Sequence, residues 1–496
     1  MNRFNLKQFV TTAGLALLLT ACGGSGGGGG GIGGTGITRT TTSGVITGFG
    51  SIFVNGIEFE TGGAAITVDF NSSATQNELQ LGMVVTVTAD IDSSGNSGTA
   101  VSVVYDDSIE GPVVGPIVED QSVQTKTFVI LGQTIVVDKT TTVFDKTSYG
   151  DLLPNDVLEV SGFVDSTGVI SATRVEKKSV FVNSVEVEIK GTVQALDKTA
   201  RTFTLGTTPI AYLATTEFKD MTEAELVDGL FVEVKGTFDG TTVLADANGK
   251  IEKEDEGFGS NVSKVSIEGL ITDFVSNASF KIQGQEVDAS GPNVVFQPTN
   301  LELKDGVKVE AEGPIENGIL KATKVELRGG DLKLETKVQA VDAATGNVTL
   351  EYPPDSALQL VNVTVTSSTL LKDQNQPGGT FSLGQLLPGE FVEVRAQVDG
   401  SGNNIASEME RDSEDDRILQ GPLDENANQT TPGQPEGSVK ILGVVVNTDA
   451  TTQFEDENDN PVTADVFFAA ALTGKLVKVK DDEPGDGVAD EIALED

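Results

Sequence analysis

The chain has 496 residues, of which 75 are Asp or Glu and 33 are Lys or Arg, so its formal net charge is −42. Such a charge repels nucleic-acid phosphates and anionic lipid headgroups, which argues against a nucleic-acid partner and against peripheral membrane contact. With no histidine and a single cysteine, the chain cannot build a Ser-His-Asp or Cys-His centre, or a zinc, copper or haem site of the usual ligands.

Other catalytic patterns are also missing. The sequence contains neither a Ser-x-x-Lys motif nor a Gly-Lys-Ser/Thr phosphate loop, and no pair of carboxylates stands out among its many acidic residues. We therefore expect no catalytic residues, no bound cofactor and no metal site of established type, and the protein is not predicted to be an enzyme. The acidic excess is interpreted as a solvating surface that favours solubility and attracts cations.

The first 21 residues have the layout of a secretory signal peptide. Arg3 and Lys7 are followed by an apolar run from Phe9 to Leu19, and small residues precede Cys22. The apolar run is about half of the ~20 residues that a transmembrane helix needs. We predict that residues 1–21 are removed during export.

Cys22 follows the cleavage site directly, and this arrangement resembles the lipobox of bacterial lipoproteins. The resemblance implies that the Cys22 sulfur carries a diacylglyceryl group and its freed amine a fatty acyl chain, which together give a stable membrane anchor. Gly23 occupies the position where retention in an inner membrane usually shows aspartate, so the resemblance favours the outer membrane. Residues 22–42, rich in glycine, are predicted to be a flexible tether.

A motif recurs six times in the rest of the chain. Each copy has an apolar residue, a turn residue three positions later, and apolar residues three and five positions after the turn, as in Leu79, Gly82, Val85 and Val87. The turn residues are Gly82, Asn155, Gly229, Gly306, Gly389 and Gly474. Their spacing of 73 to 85 residues is too long for a solenoid unit and suits a small domain.

The motif predicts a local structure. The turn residue takes the left-handed conformation, and the alternating apolar residues begin a half-buried strand. Gly162, Gly236 and Gly313, seven positions after the turn, suit a bulge or a close approach between strands, and Ala89 and Ala396 stand there in two other copies.

The fourth copy shows the strand pattern most clearly. Strands are predicted at 265–274, 279–283 and 285–289, followed by a crossover near 300–304 and two further strands at 307–313 and 319–327. This order predicts an all-β fold, a tandem array of about six small five-stranded OB-like Greek-key barrels. An SH3-like barrel or a short sandwich is the alternative.

The predicted β repeats occupy 43–106, 107–178, 184–253, 264–329, 333–412 and 417–496. Short polar or glycine-containing segments between them, such as 254–260, 329–330 and 411–417, are interpreted as solvated linkers. Units of this size bury small cores, so we expect neighbouring units to pack against one another.

The stretch from Gly48 to Phe59 and the later L-x-x-G-x-x-V-x-V-x-G units resemble a family of repeated domains in bacterial exported lipoproteins, known only as a domain of unknown function. The resemblance covers nearly the whole mature chain and implies no catalytic residues. Copies five and six depart most from the pattern.

Two acidic segments partly resemble calcium-binding loops. Asp482, Asp486, Gly487, Asp490 and Glu491 partly match an aspartate-rich loop, but Pro484 stands where the third-position ligand belongs. A hairpin leading into the last strand is the favoured interpretation, with calcium the alternative. The turn at 455–460, which contains Asp456, is treated in the same way.

Three functions are compatible with these patterns. The leading one is a non-catalytic binding or structural module of the cell envelope, held by its lipid anchor on the periplasmic side or the cell surface, which meets another envelope protein, a polymer or divalent cations. A periplasmic assembly or envelope-stress factor is the second. A carboxylate-based glycan enzyme is the third, disfavoured because the chain lacks tryptophan and has only four tyrosines for sugar stacking.

Overall fold

The computed structural model describes residues 38–92, 95–120, 124–254, 257–258, 261–299, 301–330, 332–352, 359–373, 379–399, 402–457, 460–482 and 487–495. Residues 37–496 form one compact unit. Its described part is almost entirely β-structure, arranged as six barrels numbered in chain order.

The strands of the first three barrels follow one another without long gaps. Barrel 1 contains β1 (Thr38–Gly48), β2 (Ile52–Val54), β3 (Ile57–Glu60), β4 (Ala65–Val68), β5 (Asn71–Ala74), β6 (Val84–Ile91) and β7 (Ser97–Tyr105). Barrel 2 contains β8 (Ile109–Asp120), β9 (Thr125–Ile130), β10 (Gln133–Asp138), β11 (Val143–Asp145), β12 (Asp156–Val164) and β13 (Ile170–Val180). Barrel 3 contains β14 (Val185–Asp197), β15 (Thr202–Leu205), β16 (Thr208–Tyr212), β17 (Glu217–Lys219), β18 (Phe231–Phe238), β19 (Val243–Ala245) and β20 (Lys250–Lys253).

The last three barrels repeat the plan. Barrel 4 contains β21 (Asn261–Ser276), β22 (Ser279–Ile282), β23 (Gln285–Asp288), β24 (Val295–Gln297), β25 (Lys308–Glu316), β26 (Ile319–Lys321) and β27 (Lys324–Leu327). Barrel 5 contains β28 (Leu332–Asp342), β29 (Asn347–Tyr352), β30 (Gln359–Thr364), β31 (Leu370–Asp373), β32 (Gly379–Thr380), β33 (Phe391–Val398) and β34 (Asn404–Asp412). Barrel 6 contains β35 (Arg417–Pro422), β36 (Asn428–Gln429), β37 (Gly437–Ile441), β38 (Val444–Thr448), β39 (Gln453–Glu455), β40 (Leu476–Asp481) and β41 (Glu491–Leu494).

Helices are few and short. Gln76–Glu78, Tyr149–Asp151 and Leu383–Gln385 are single 3-10 turns before the motif turn, and α1 (Ala464–Ala470) takes that place in barrel 6. Within the described ranges, no helix has the length and apolar character needed to cross a membrane.

Barrel 4 shows how the first five units close, whereas in barrel 6 strands β36 to β38 form a separate three-stranded sheet that joins the rest through the single bridges Leu423–Ile441 and Asn447–Val488. β21, β22 and β23 form an antiparallel meander, β23 pairs in parallel with β26, β26 pairs with β25, and β25 returns to β21. This closed Greek-key order confirms the OB-like barrel that the sequence predicted. Closure leaves no free edge among these five strands.

The structure adds a sixth short strand that the sequence analysis missed. In every barrel a strand of three or four residues precedes the motif turn and pairs in parallel with the last strand: β4, β11, β17, β24, β31 and β39. Segments this short carry too little alternation to be recognised by pattern.

The motif residues behave as predicted. All six turn residues have positive φ, between 72° at Asn155 and 89° at Gly229 and Gly389. A register shift follows Ser161, where β12 passes Gly162, and a Cβ on Gly162 would lie 2.4 Å from the Ser171 carbonyl oxygen. Both the turn and the close strand approach are therefore confirmed.

The predicted boundaries need two corrections. Residues 38–42, expected to belong to the tether, are the start of β1, where Thr38 to Val45 pair with β6. In the segment 411–417, expected to be a solvated linker, residues 413–415 are exposed as expected, but the ends belong to β34 and β35: Arg411 pairs with Asp373, and Arg417 is 2% exposed. The tether was predicted to be too long because a run of threonines with polar neighbours occurs both in strands and in linkers, so the pattern does not distinguish them.

Barrels join by pairing their first strands. β1 runs parallel to β21, β8 is antiparallel to β14, and β28 is antiparallel to β35. The shared sheets therefore couple barrel 1 to barrel 4, barrel 2 to barrel 3, and barrel 5 to barrel 6. The expected packing of units against each other is found, but it does not follow chain order throughout.

Further contacts tie these pairs together. The Thr173 hydroxyl of barrel 2 donates to the Gly82 carbonyl of barrel 1 over 2.6 Å, and the Thr140 hydroxyl of barrel 2 donates to Glu393 Oε2 of barrel 5 over 2.8 Å. The Ser367 hydroxyl of barrel 5 donates to the Gly56 carbonyl of barrel 1 over 2.9 Å. Barrels distant in sequence are thus in direct contact.

Candidate functional site

Eight carboxylates gather where barrels 1, 2 and 3 meet, and we call them the acidic junction. They fall into three groups, and within each group a carboxylate oxygen of every member lies within 4.8 Å of the others. The groups are Asp69, Asp107 and Glu188; Asp106, Glu233 and Glu254; and Asp107, Glu110 and Glu159.

Strand register produces the centre of the junction. Glu159 of β12 lies opposite Glu110 of β8, Glu110 lies opposite Glu188 of β14, and Glu188 lies opposite Lys235 of β18. Three glutamates therefore stand side by side across the sheet shared by barrels 2 and 3. Like charges in directly opposite positions destabilise a sheet unless something neutralises them.

Barrel 1 and its connection to barrel 2 complete the junction. Asp69 occupies a turn after β4 with a φ of 49°, and its backbone N–H donates to the Tyr105 carbonyl over 2.9 Å. The connection between β7 and β8 supplies Asp106 and Asp107, and the Asp107 N–H donates to Asp69 Oδ1 over 3.2 Å. The carboxylates are thus fixed by backbone geometry.

Three lysines offset part of this charge. Lys178 lies 2.6 Å from Glu159 Oε2, and Lys235 donates to Glu188 Oε1. Lys190 donates to Asp106 Oδ2 and to the Asp107 carbonyl oxygen, each over 2.5 Å. Acids therefore outnumber the bases in contact with them.

The junction opens onto a cleft of about 1060 Å³ that barrels 1 to 4 enclose. Its lining includes Asp106, Asp107, Lys190 and Glu254 together with uncharged residues such as Gln133. Solvent and small ions can therefore reach three of the junction carboxylates, those of Asp106, Asp107 and Glu254, through the cleft.

Burial and mutual repulsion favour the protonated forms. Burial raises the pKa of Asp69 to about 7, with the charges of Glu159 and Glu188 adding to it. Burial likewise raises the pKa of Glu110 and Glu254 to about 7, and nearby lysines reduce the effect. The pKa of Asp107 is also raised well above its ordinary value, because the carboxyl group is buried and lies close to the charge of Glu188.

Three oxygens in the junction have no hydrogen-bond partner. They are Asp107 Oδ1, Glu188 Oε2 and Glu233 Oε1, on residues that are 1%, 3% and 2% exposed. A buried carboxylate oxygen without a donor is costly. A proton or a hard cation between the carboxylates would remove that cost.

The sequence analysis missed this site because it treated the acids as solvating, which is wrong here. The residue between the two apolar positions of the motif is Glu159, Glu233, Glu310 or Glu393 in four copies, and all four are at most 5% exposed. Two of them contact another barrel directly, since Glu159 accepts from the Tyr105 hydroxyl and Glu393 accepts from the Thr140 hydroxyl. The detectable signal was a glutamate that recurs between two apolar core residues at one repeat position.

The residues singled out from the sequence lie elsewhere. Cys22 and Asp486 are outside the described residues. The Gly487 N–H donates to Asp481 Oδ2 over 2.9 Å and the Asp482 N–H donates to Asp490 Oδ2 over 2.8 Å, as in a hairpin leading into β41. At 455–460, Asp456 Oδ1 accepts from the Asn460 N–H within a turn.

Aromatic side chains contribute to the cores. Tyr105, Tyr212 and Tyr352 are at most 2% exposed. Among the described aromatic residues only Phe49 is exposed, at 39%, and the others are buried or half-buried. A row of exposed rings for stacking sugars or bases is therefore absent from the described ranges.

Comparisons with solved structures give weak similarities. The chain is 12% identical to the single-stranded DNA binding protein from Thermus aquaticus, with 34% of this chain and 90% of that chain covered and a TM-score of 0.16. It is 15% identical to drosophila Unr CSD456, with 45% and 96% covered and a TM-score of 0.11. A search of curated proteins finds no match.

The comparison with families is more informative. The family described as a domain of unknown function, DUF5666, matches residues 114–176, 190–247, 268–326, 337–410 and 429–493, more than half of the chain. These segments lie in barrels 2 to 6, while barrel 1 has the same strand plan without a match. The chain belongs to the DUF5666 family, of which it carries five copies.

Proposed function

We infer that the protein is a non-catalytic module of the cell envelope, anchored to a membrane through lipid on Cys22. The observation that supports the non-catalytic role is the joining of the six barrels into three pairs through their first strands, with further hydrogen bonds between the pairs. Barrel faces that would otherwise be open to a ligand pack on neighbouring barrels. This construction suits a rigid spacer or scaffold.

The exterior supports a binding role toward another envelope protein, a polymer or divalent cations. Acidic residues outnumber basic ones by 75 to 33, and most aromatic rings in the described ranges are buried or half-buried. A partner would therefore be recognised through charge and hydrogen bonds. Nucleic acid is disfavoured by the same charge. The outer membrane is the proposed location because Gly23 follows Cys22.

The anchor is tested by Cys22→Ser in a bacterial host fed a labelled fatty acid. The unsubstituted chain should carry the label and sediment with membranes, because several acyl chains bind a bilayer stably. The Cys22→Ser chain should carry no label and appear in the soluble fraction. Ser25→Ala, three residues further on, is the matched control and should behave like the unsubstituted chain.

Label on the Cys22→Ser chain, or its full retention in membranes, would refute the lipid anchor. Protease added to whole cells then distinguishes surface display, in which the barrels are cut, from a periplasmic assembly or stress role, in which they are protected.

Incubation with a panel of polysaccharides tests the non-catalytic assignment. Release of sugars would contradict that assignment and support the glycan-enzyme alternative.

A further inference from the structure

We propose that Asp69, Asp107 and Glu188 bind a calcium ion at the point where barrels 1, 2 and 3 meet. Their carboxylate oxygens lie within 4.8 Å of one another, a separation that one ion can bridge with small side-chain movements. They come from the turn after β4, the connection between β7 and β8, and β14.

The unpartnered oxygens identify the ligand atoms. Asp107 Oδ1 and Glu188 Oε2 are buried without a hydrogen-bond donor. Asp69 Oδ1 accepts from the Asp107 N–H over 3.2 Å, so the two aspartates are already held together. A cation supplies the positive charge that these oxygens otherwise lack.

The other two groups are less suited to a cation because a lysine ammonium group already lies beside their buried oxygens. Lys190 donates to Asp106 Oδ2 and lies 3.6 Å from Glu233 Oε1, the third oxygen without a hydrogen-bond partner. Lys178 and the Tyr105 hydroxyl both contact Glu159. In the proposed triad, the lysine contact is on Glu188 Oε1, made by Lys235, and Glu188 Oε2 remains without a hydrogen-bond donor.

The donor set selects the type of ion. Three carboxylates offer only oxygen, which suits a hard divalent cation. Calcium accepts several carboxylates in flexible geometry, whereas magnesium requires near-ideal octahedral geometry and retains most of its waters. Asp107 also lines the cleft, which gives a hydrated ion a path to the triad and room for the water ligands that complete its shell.

The site would lock three barrels together. Asp69 belongs to barrel 1, Glu188 to barrel 3, and Asp107 to the segment that leads into barrel 2. Because these residues would share one ion only in the folded body, calcium should raise the melting temperature, and the rise should continue with the logarithm of the calcium concentration above the dissociation constant.

The experiment uses the full lipidated chain in detergent, stripped with a chelator and titrated with calcium chloride by calorimetry, with magnesium chloride as the comparison. We expect calcium binding with release of protons and a calcium-dependent rise in melting temperature. Asp107→Asn and Glu188→Gln keep the side-chain shapes and should weaken calcium binding by at least about tenfold.

Glu425→Gln is the matched control, since it removes one exposed carboxylate from barrel 6, and it should leave binding unchanged. If both junction variants fail to fold, Asp69→Asn at the half-buried position repeats the test. Absence of calcium binding by the unsubstituted chain at millimolar concentration would overturn the proposal. Binding abolished by Asp486→Asn but kept in Asp107→Asn would also overturn it.

Discussion

Lys372 of barrel 5 carries a positive charge into a buried contact with barrel 2. It is 4% exposed, lies 2.7 Å from Glu408 Oε1 and 3.2 Å from Glu410 Oε2, and donates to the Thr142 carbonyl oxygen over 3.3 Å. Despite Lys372, burial raises the pKa of Glu408 to about 7 and of Glu410 to about 8. One cation thus compensates two desolvated acids.

Lys372→Met should destabilise the chain by about 3 kcal/mol, since removal of one member leaves the others buried without compensation. The loss should be larger at pH 8.5 than at pH 6, because the glutamates can take up protons at the lower pH. Urea unfolding followed by circular dichroism measures this difference. Adding Glu408→Gln and Glu410→Gln to Lys372→Met should recover stability. No recovery would show that packing of the lysine stem, and not its charge, mattered.

At the scale of elements, the contact between first strands depends on a small residue. Gly44 of β1 lies where β1 meets β21, and a Cβ there would stand 2.0 Å from Asn55 Oδ1 and 2.8 Å from Glu268 Oε2. Asn55 is itself fixed, because its side-chain amide donates to the Ser43 carbonyl oxygen over 3.1 Å and to Ser266 Oγ over 2.7 Å. Neither neighbour moves away freely.

Gly44→Ala should therefore destabilise the joint between barrels 1 and 4 by about 1–3 kcal/mol. Gly62→Ala is the control, since its Cβ would meet nothing within 4 Å, and it should change stability little. The measurement is hydrogen exchange of β1 and β21 amides together with the melting temperature. Equal effects of the two alanines would contradict a steric role for Gly44.

Much of each barrel was predictable from the sequence because it is local. Left-handed turns, strands with alternating apolar residues and small residues at bulges each depend on residues that are close together in the sequence. The conformations at Asn155 and Gly162 were therefore predicted correctly. The pairing of β1 with β21 joins residues more than 200 positions apart, such as Thr41 and Val265. No local pattern predicts which first strands pair with each other, because the first strands of all copies are similar.

The acidic junction was unpredictable for the same reason. Glu110, Glu159 and Glu188 become neighbours only after two barrels share a sheet. From the sequence, each resembles a polar residue on the exposed face of a half-buried strand. Burial of that outer face depends on barrel packing, so the interpretation of all acids as solvating failed at this point.

At the scale of the whole molecule, the buried acids couple folding to proton uptake. Burial raises the pKa of Glu110 and Glu335 to about 7 and of Glu233 to about 9, from an ordinary glutamate value of 4.5. Between about pH 4.5 and 7 the folded chain therefore binds more protons than the unfolded chain. An acid with a raised pKa makes the free energy of unfolding fall as pH rises through that window.

We expect the free energy of unfolding, measured in chelator, to fall from pH 5 to pH 7 by about 1.4 kcal/mol per pH unit for each proton taken up. Repulsion between surface acids also makes the free energy of unfolding fall as pH rises. At 1 M salt, however, this repulsion is screened within about 3 Å. A slope that persists at 1 M salt therefore reports buried carboxylates. A slope that disappears would show that surface repulsion dominates.

Calcium should reduce the fall in the free energy of unfolding between pH 5 and 7. Metal binding requires ionised carboxylates, so calcium affinity should rise with pH as protons leave the junction. In excess calcium the free energy of unfolding should fall less steeply between pH 5 and 7 than in chelator, and Asp107→Asn should abolish that difference. If calcium shifts the whole curve without changing its slope, the ion binds away from the titrating acids. The stability of the body would then be independent of cation binding at the junction.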